Sequence, residues 1–259
     1  MKKTLIALAV AASAAVSGSA MAWTANGTGG SVDLGGTLTP TDVITPWEVK
    51  VGDTVKGLDA KIKKGQKTVE ISLKSAIPLL GIRTQTSEAF HGQQGISPQI
   101  SYGNAVDVDS FNMGRAPLTL EVKDSNGVKI GKAESSMVAA AMTSFKFNSM
   151  HKIFTAYAAK SGEPFFGGVG KSSSGVHTSP LEVAKEVFAE AAEHYNNQGI
   201  TDKVIPGTMS FDLKAPFFSS FYASGIPASS KITITLDKED RADAPVQWKA
   251  SLPITVSYM

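Results

Sequence analysis

Glu190 and His194 stand four residues apart in a stretch with helical spacing, which would set both on one face and let them share a metal ion. One such pair falls short of the four ligands of a structural zinc site, so a solvated helix face is the better reading. His91, His151 and His177 have no neighbouring serine–acid arrangement of the kind that marks an activated nucleophile. Gly167-Gly-Val-Gly170-Lys171-Ser172 matches the tail of a phosphate-binding loop. The full pattern needs glycine at position 165, where the chain has Phe165, and no βαβ pattern surrounds it. No pair of carboxylates facing one cleft, which glycoside hydrolysis would need, can be picked out either. The expectation is a protein with no catalytic residue, no bound metal and no cofactor.

Recognition is the chemistry that remains. Sugars present apolar ring faces that stack on aromatic side chains, while amides and carboxylates hold their hydroxyls. Tyr157, Phe165 and Phe166, with Asn148 and Glu163 nearby in sequence, are the candidates for a carbohydrate site. The competing reading is that these aromatics pack their segment onto the rest of the domain. A second group, Phe217, Phe218, Phe221 and Tyr222, fits a core or a subunit interface better than a receptor site.

Residues 1–22 have the three parts of a secretory signal: Lys2 and Lys3, an apolar stretch from Leu5 to Val16, and the small-x-small site Ala20-Met21-Ala22. That stretch is too short for a permanent membrane anchor. Cleavage would remove two lysines and leave 23 acidic residues matched by as many basic ones. A balanced charge argues against a nucleic-acid partner, whose affinity comes from clustered cations, and permits self-association. The chain has no cysteine, so neither disulfides nor thiol catalysis are available to an exported protein of this sequence.

The elements that must position any site are mostly strands. Val69, Ile71 and Leu73 share one face, as do Leu118, Leu120 and Val122, then Met209, Phe211 and Leu213, then Ile232, Ile234 and Leu236. Asn126-Gly127 marks a hairpin, because both residues tolerate positive φ. From about 149 to 197 the period shifts toward helix. Ser179-Pro180-Leu181-Glu182 reads as a capping box opening a helix. Leu181, Ala184, Phe188, Ala191 and Tyr195 would form its stripe and Gly199 its stop. A weaker helical stretch is expected over 150–159. The pattern predicts a mainly β sandwich over 41–259, with a partly helical insertion at about 148–205.

The two ends stand out. Residues 23–40 form an extension with few large side chains: Val32, Leu34 and Leu38 at even spacing, with Gly36 between them. Alone, such a segment buries too little surface to hold itself in place. Added to an exposed sheet edge, it gains main-chain hydrogen bonds, and its alternate side chains enter pockets. At the other end, Leu252, Ile254, Val256 and Tyr258 alternate with polar residues in what reads as a strong edge strand. Periodicity leaves two readings open for the extension: a strand given to a neighbouring copy, or the first strand of its own domain.

The residues that carry a family resemblance are the signal, Trp23, Gly30-Ser-Val-Asp-Leu-Gly-Gly36 and Trp47-Glu-Val-Lys-Val-Gly52. To these are added Pro78-Leu-Leu-Gly, Glu88-Ala-Phe90, Gly95-Ile-Ser-Pro-Gln-Ile100, Gln247-Trp248 and the closing strand to Tyr258. In these blocks the chain resembles the FaeG-type fimbrial adhesins of chaperone–usher fimbriae. The resemblance implies an incomplete immunoglobulin-like domain that lacks its last strand. A periplasmic chaperone would lend a strand to the edge at Leu252–Tyr258. At an outer-membrane usher the next subunit's extension would replace it, placing the chain in a cell-surface fimbrium among identical or related subunits. It also implies adhesion to a host glycan receptor through the inserted region, whereas a minor subunit of the same organelle would share the ends and differ there. Pro253 has no N–H to donate, so it must sit at a bulge or turn that gap away from the pairing.

Overall fold

The structure is a computed structural model that describes residues 34–36, 44–228, 230–238 and 245–259. The signal at 1–22 and the expected donor residues Val32 and Leu38 lie outside the described residues. The chain divides into two units, 1–41 and 42–259. In the first, Leu34 is 94% exposed and Gly36 has open space where a side chain would begin.

In the second unit, β1 (Trp47–Val51), β2 (Thr68–Ser72), β3 (Ile77–Thr84), β4 (Phe90–His91), β5 (Pro98–Ser101) and β6 (Arg115–Lys123) lead to a long strand, β7 (Lys129–Phe147). After it come β8 (Met150–Ala156), helix α1 (Pro180–Val187), β9 (Ile205–Gly207), β10 (Phe217–Ile226), β11 (Lys231–Leu236), β12 (Lys249–Ala250) and β13 (Thr255–Tyr258). Among the described residues, β13 and β5 form a small antiparallel sheet and the other strands a large one. The fold is mainly β and sandwich-like, with a small helical insert.

β7 organises the large sheet. Its first half pairs with β6 and β11, and its second half with β10 and β8. From Met137 to Phe145 every residue is buried. Ala139, Ala141 and Phe145 face the main core with Leu80, Ile82, Phe218 and Tyr222. Val138, Ala140 and Met142 face a second cluster, where Val183, Ala184, Val187 and Phe188 cover the sheet's other side. α1 is therefore a lid on the outer face of β7 and β10, and its apolar side is what holds so short a helix in place.

Several expectations need correction. Residues 150–156 are strand, not helix: Asn148, with φ +52°, turns the chain back so that Phe147 pairs with Met150. Ile153 and Phe154 are buried on opposite faces, which erases the polar alternation that would have announced a strand. The predicted strand at 209–213 is a turn, with Phe211 in the core and Leu213 exposed. α1 starts at Pro180 as the sequence predicts, but the Ser179 side chain makes no cap bond, and Glu182 instead pairs with Lys185. The helix ends at Val187 rather than near Gly199, giving way to a 3-10 turn at Ala189–Ala192, and Leu181 faces solvent.

Candidate subunit joint and receptor surface

The regular part of the C-terminal strand is shorter than the alternation suggested, covering Thr255–Tyr258. The alternation itself extends further: Leu252, Ile254, Val256 and Tyr258 are half-buried against the main core, while Pro253, Thr255, Ser257 and Met259 are exposed. Met259 and Ser97 exchange both backbone hydrogen bonds, at 3.0 and 3.1 Å. Antiparallel pairs alternate, so Ser257↔Gln99 and Thr255↔Ser101 are the next bonded pairs. The peptide groups of Val256 and Tyr258 then point away from β5. Among the described residues no strand meets them there.

β5 shows the same parity from its other side. The Phe165 N–H donates to Pro98 O at 2.7 Å, and the Ile100 N–H to Phe166 O at 2.8 Å. Pro98, which has no donor, sits where β13 asks for none. Pro253 has the parity of Thr255 and Ser257, so its missing N–H is on the β5 side, beyond the last pair and beside Gly103.

β1 pairs only with β3 among the described strands, and no other described strand meets its second edge. Two contacts bring it toward the small sheet at one end. The Trp47 indole N–H donates to Ile96 O at 2.6 Å, and the Tyr258 hydroxyl meets Thr45. Burial pushes the Tyr258 phenol up from its ordinary value, and the Thr45 contact pulls the other way. The result is a seam along β13, whose outer edge no described strand meets and whose inward side chains are only half covered.

The carbohydrate candidates fall apart in space. Asn148 occupies the exposed turn before β8 and Tyr157 follows its far end. A seven-residue strand spans roughly 23 Å, so one sugar-sized site does not hold both. Phe165 is fully buried, with φ +64°, against Trp47, Phe211 and Tyr222, and is a core residue. Phe166 is half-buried on the same core. Glu163 accepts from the N–H groups of Ala159 and Lys160 and closes the turn that precedes Phe165. The 157–170 segment is stapled to β5 by Gln99, whose amide donates to Glu163 O and whose Oε1 accepts from the Gly162 N–H, both at 3.0 Å. Tyr157, Glu163 and Phe166 thus share one loop, beside the small sheet and on the side away from the open edge.

Glu190 and His194 do not converge on a metal. Lys50 pairs with Glu190 at 2.7 Å, and its hydrogen bond and charge hold that carboxyl below the usual range. His194 Nδ1 lies 2.5 Å from Thr84 O. No group of three metal-ligating side chains occurs among the described residues.

The whole chain, residues 1–259, matches the family described as "Fimbrial, major and minor subunit". The chain belongs to the K88-type fimbrial subunit family. It is 29% identical over 287 residues to K88 fimbrial protein AB of Escherichia coli, and 30% identical over 291 residues to the F41 fimbrial protein of Escherichia coli, with both partners covered in full. It is 25% identical over 248 residues to the K88 minor fimbrial subunit FaeI of Escherichia coli, with 92% of each chain covered.

Sequence reasoning missed one feature that fastens the small sheet to the large one. Tyr102, directly after β5, reaches Tyr222 Oη at 2.7 Å and Ser224 Oγ at 2.8 Å on β10. Tyr222 in turn donates to Gly168 O at 3.0 Å. All three side chains are enclosed, and burial raises the Tyr102 phenol to about 12 and the Tyr222 phenol well above its ordinary value. The signal available in sequence was polar residues at inward positions of β10, which an alternation count treats as noise.

Proposed function

We propose that this fimbrial subunit polymerises by strand donation and carries adhesion to host glycoconjugates. One copy's extension, 23–40, would enter the seam of the next, placing Val32, Leu34, Gly36 and Leu38 beside Leu252, Ile254, Val256 and Tyr258. Before assembly a periplasmic chaperone would occupy the same edge, and an outer-membrane usher would exchange it for the neighbour's strand on the way to a surface fimbrium. The reading involves no catalytic step and no cofactor. The observation that carries it is the outward peptide edge of β13, which no described strand meets, above half-covered apolar side chains. Main-chain bonds plus alternate side chains are what an added strand supplies.

Deleting 23–38 tests it. The shortened chain is expected to bind its chaperone and fail to join a neighbour, and unimpaired polymerisation refutes donation. A second reading, a minor subunit without receptor binding, is favoured by the likeness to FaeI and by the burial of Phe165. Glycan-array binding by the intact subunit separates the two, and the same array with the 157–170 loop replaced shows whether that loop takes part. The replacement has to spare β8, which belongs to the main sheet.

A further inference from the structure

A cleft of about 540 Å³ lies at the start of β6, lined by Asn112, Met113, Arg115, Pro117, Ser136 and His177 among others. Its rim is a tight hairpin. Asn112 and Arg115 exchange backbone hydrogen bonds at 2.9 Å, and both central residues have positive φ, Met113 at +47° and Gly114 at +76°. Such a turn suits Asn-Gly or Gly-Gly; a methionine there is strained. The strain is held in place from outside the turn. The Met113 and Gly114 N–H groups donate to Ser174 O and Gly175 O, and Gly114 O accepts from Ala139. The consequence is that Met113 stands 61% exposed at the mouth of the cleft. Strain that the surroundings maintain is a mark of sites more often than of scaffolding.

The charges point the same way. Arg83, in a second cleft, is satisfied by Glu48 and Glu193. Arg115 has no side-chain partner among the described residues, and the cleft's lining contains no carboxylate. His177 Nδ1 accepts the Ser179 N–H at 3.0 Å, so the neutral ring carries its proton on Nε2 and is a donor there. Asn112 and Ser136 add an exposed amide and a half-exposed hydroxyl.

We propose that this cleft is a receptor subsite for a carboxylated saccharide, a terminal sialic or uronic acid. Arg115 takes the carboxylate as a two-pronged donor, and Met113 offers polarizable apolar surface to the sugar ring. The proposal rests on the adhesive reading above and places the contact outside the 157–170 loop.

The test uses assembled fimbriae and three probes: sialyl-lactose, its carboxyl-reduced analogue and lactose. Wild type is expected to hold the acid at least about tenfold more tightly than the reduced sugar. Arg115→Gln should erase that difference, and Met113→Gly should weaken both sugars while melting no lower than wild type. Arg115 is exposed, so its replacement is expected to leave folding intact, which a thermal melt and the yield of assembled fimbriae check. Equal binding of acid and reduced sugar by wild type, or discrimination that survives Arg115→Gln, overturns the subsite. Glycan capture that ignores Arg115 overturns it while the adhesive reading stands. Absence of all saccharide binding by wild-type fimbriae overturns both.

Discussion

Replacing Val256 with proline tests the joint at the level of single peptide groups. By the register of β13 on β5, Val256 and Tyr258 turn their N–H and C=O groups outward, which gives an incoming strand four bonding positions. At about 1 kcal/mol net for each, the ladder over these two residues contributes about 4 kcal/mol. Proline at 256 removes one donor and leaves the facing carbonyl unsatisfied, which costs about 1–3 kcal/mol more. The sum, about 2–4 kcal/mol, is roughly a thirtyfold to thousandfold weaker joint. Ser257→Pro is the matched control, since the Ser257 N–H is spent inside the subunit on Gln99. It should lower the subunit's own melting temperature and leave the outer edge able to bind. The assay is anisotropy of a labelled peptide spanning residues 29–40, titrated with chains lacking 23–38, alongside thermal melts followed by circular dichroism. Val256→Pro binding the peptide like wild type refutes the reasoning. So does Ser257→Pro losing the peptide while melting normally, because then the outward parity is the opposite one.

Two further predictions concern the core. Burial raises the Tyr102 phenol from 10.0 to about 12. Between those values the folded state binds more protons than the unfolded one, so stability is unaffected below pH 10 and falls as pH rises toward 12, by about 3 kcal/mol for this group. Tyr222, also raised, adds to the fall. Urea midpoints measured from pH 8 to pH 12 should drop less steeply for Tyr102→Phe than for wild type, and parallel curves defeat the assignment. Phe165→Ala should cost about 3–5 kcal/mol in urea unfolding, as expected for an enclosed aromatic. Phe166→Ala should cost clearly less, and a small loss at 165 returns that residue to the list of surface candidates.

Strands with one wet face were legible in the sequence. Ile71, Leu118, Val122, Ile232 and Ile234 alternate with polar neighbours, and all five lie in strands that bury them. Asn126-Gly127 lies in the turn between β6 and β7, with Gly127 at φ +81°. The alternation from Leu252 to Tyr258 was readable for the same reason, since solvent on one side preserves the period even beyond the regular pairing of Thr255–Tyr258. The error over 150–156 arose where both faces are covered. Over β8 the neighbours β7 and β9 and the clusters on both sides bury Ile153 to Ala156 without a break, and a continuous apolar run carries no period to tell strand from helix.

The packing role of the 157–166 aromatics was hidden by a different cause. The aromatics of 157–166 suggest a sugar site because sugars stack on aromatics, yet Phe165-Phe166-Gly167-Gly168 is the very segment that docks on β5. The glycines allow that approach: a side chain on Gly167 would begin 2.1 Å from Ile100 O, and one on Gly168 2.5 Å from its Cδ1. Two phenylalanines followed by two glycines read as packing once both are weighed together, because residues without side chains let backbones meet and leave the large rings to fill the space beneath. Arg115 had the reverse problem. A lone arginine after Met113-Gly114 is unremarkable in sequence, and its surroundings come from β7 and from residues just ahead of α1, which only the fold assembles. A cation with no side-chain partner among the described residues, beside a strained, solvent-facing methionine, is therefore the feature on which the proposed saccharide subsite rests, and no run of aromatic letters announces it.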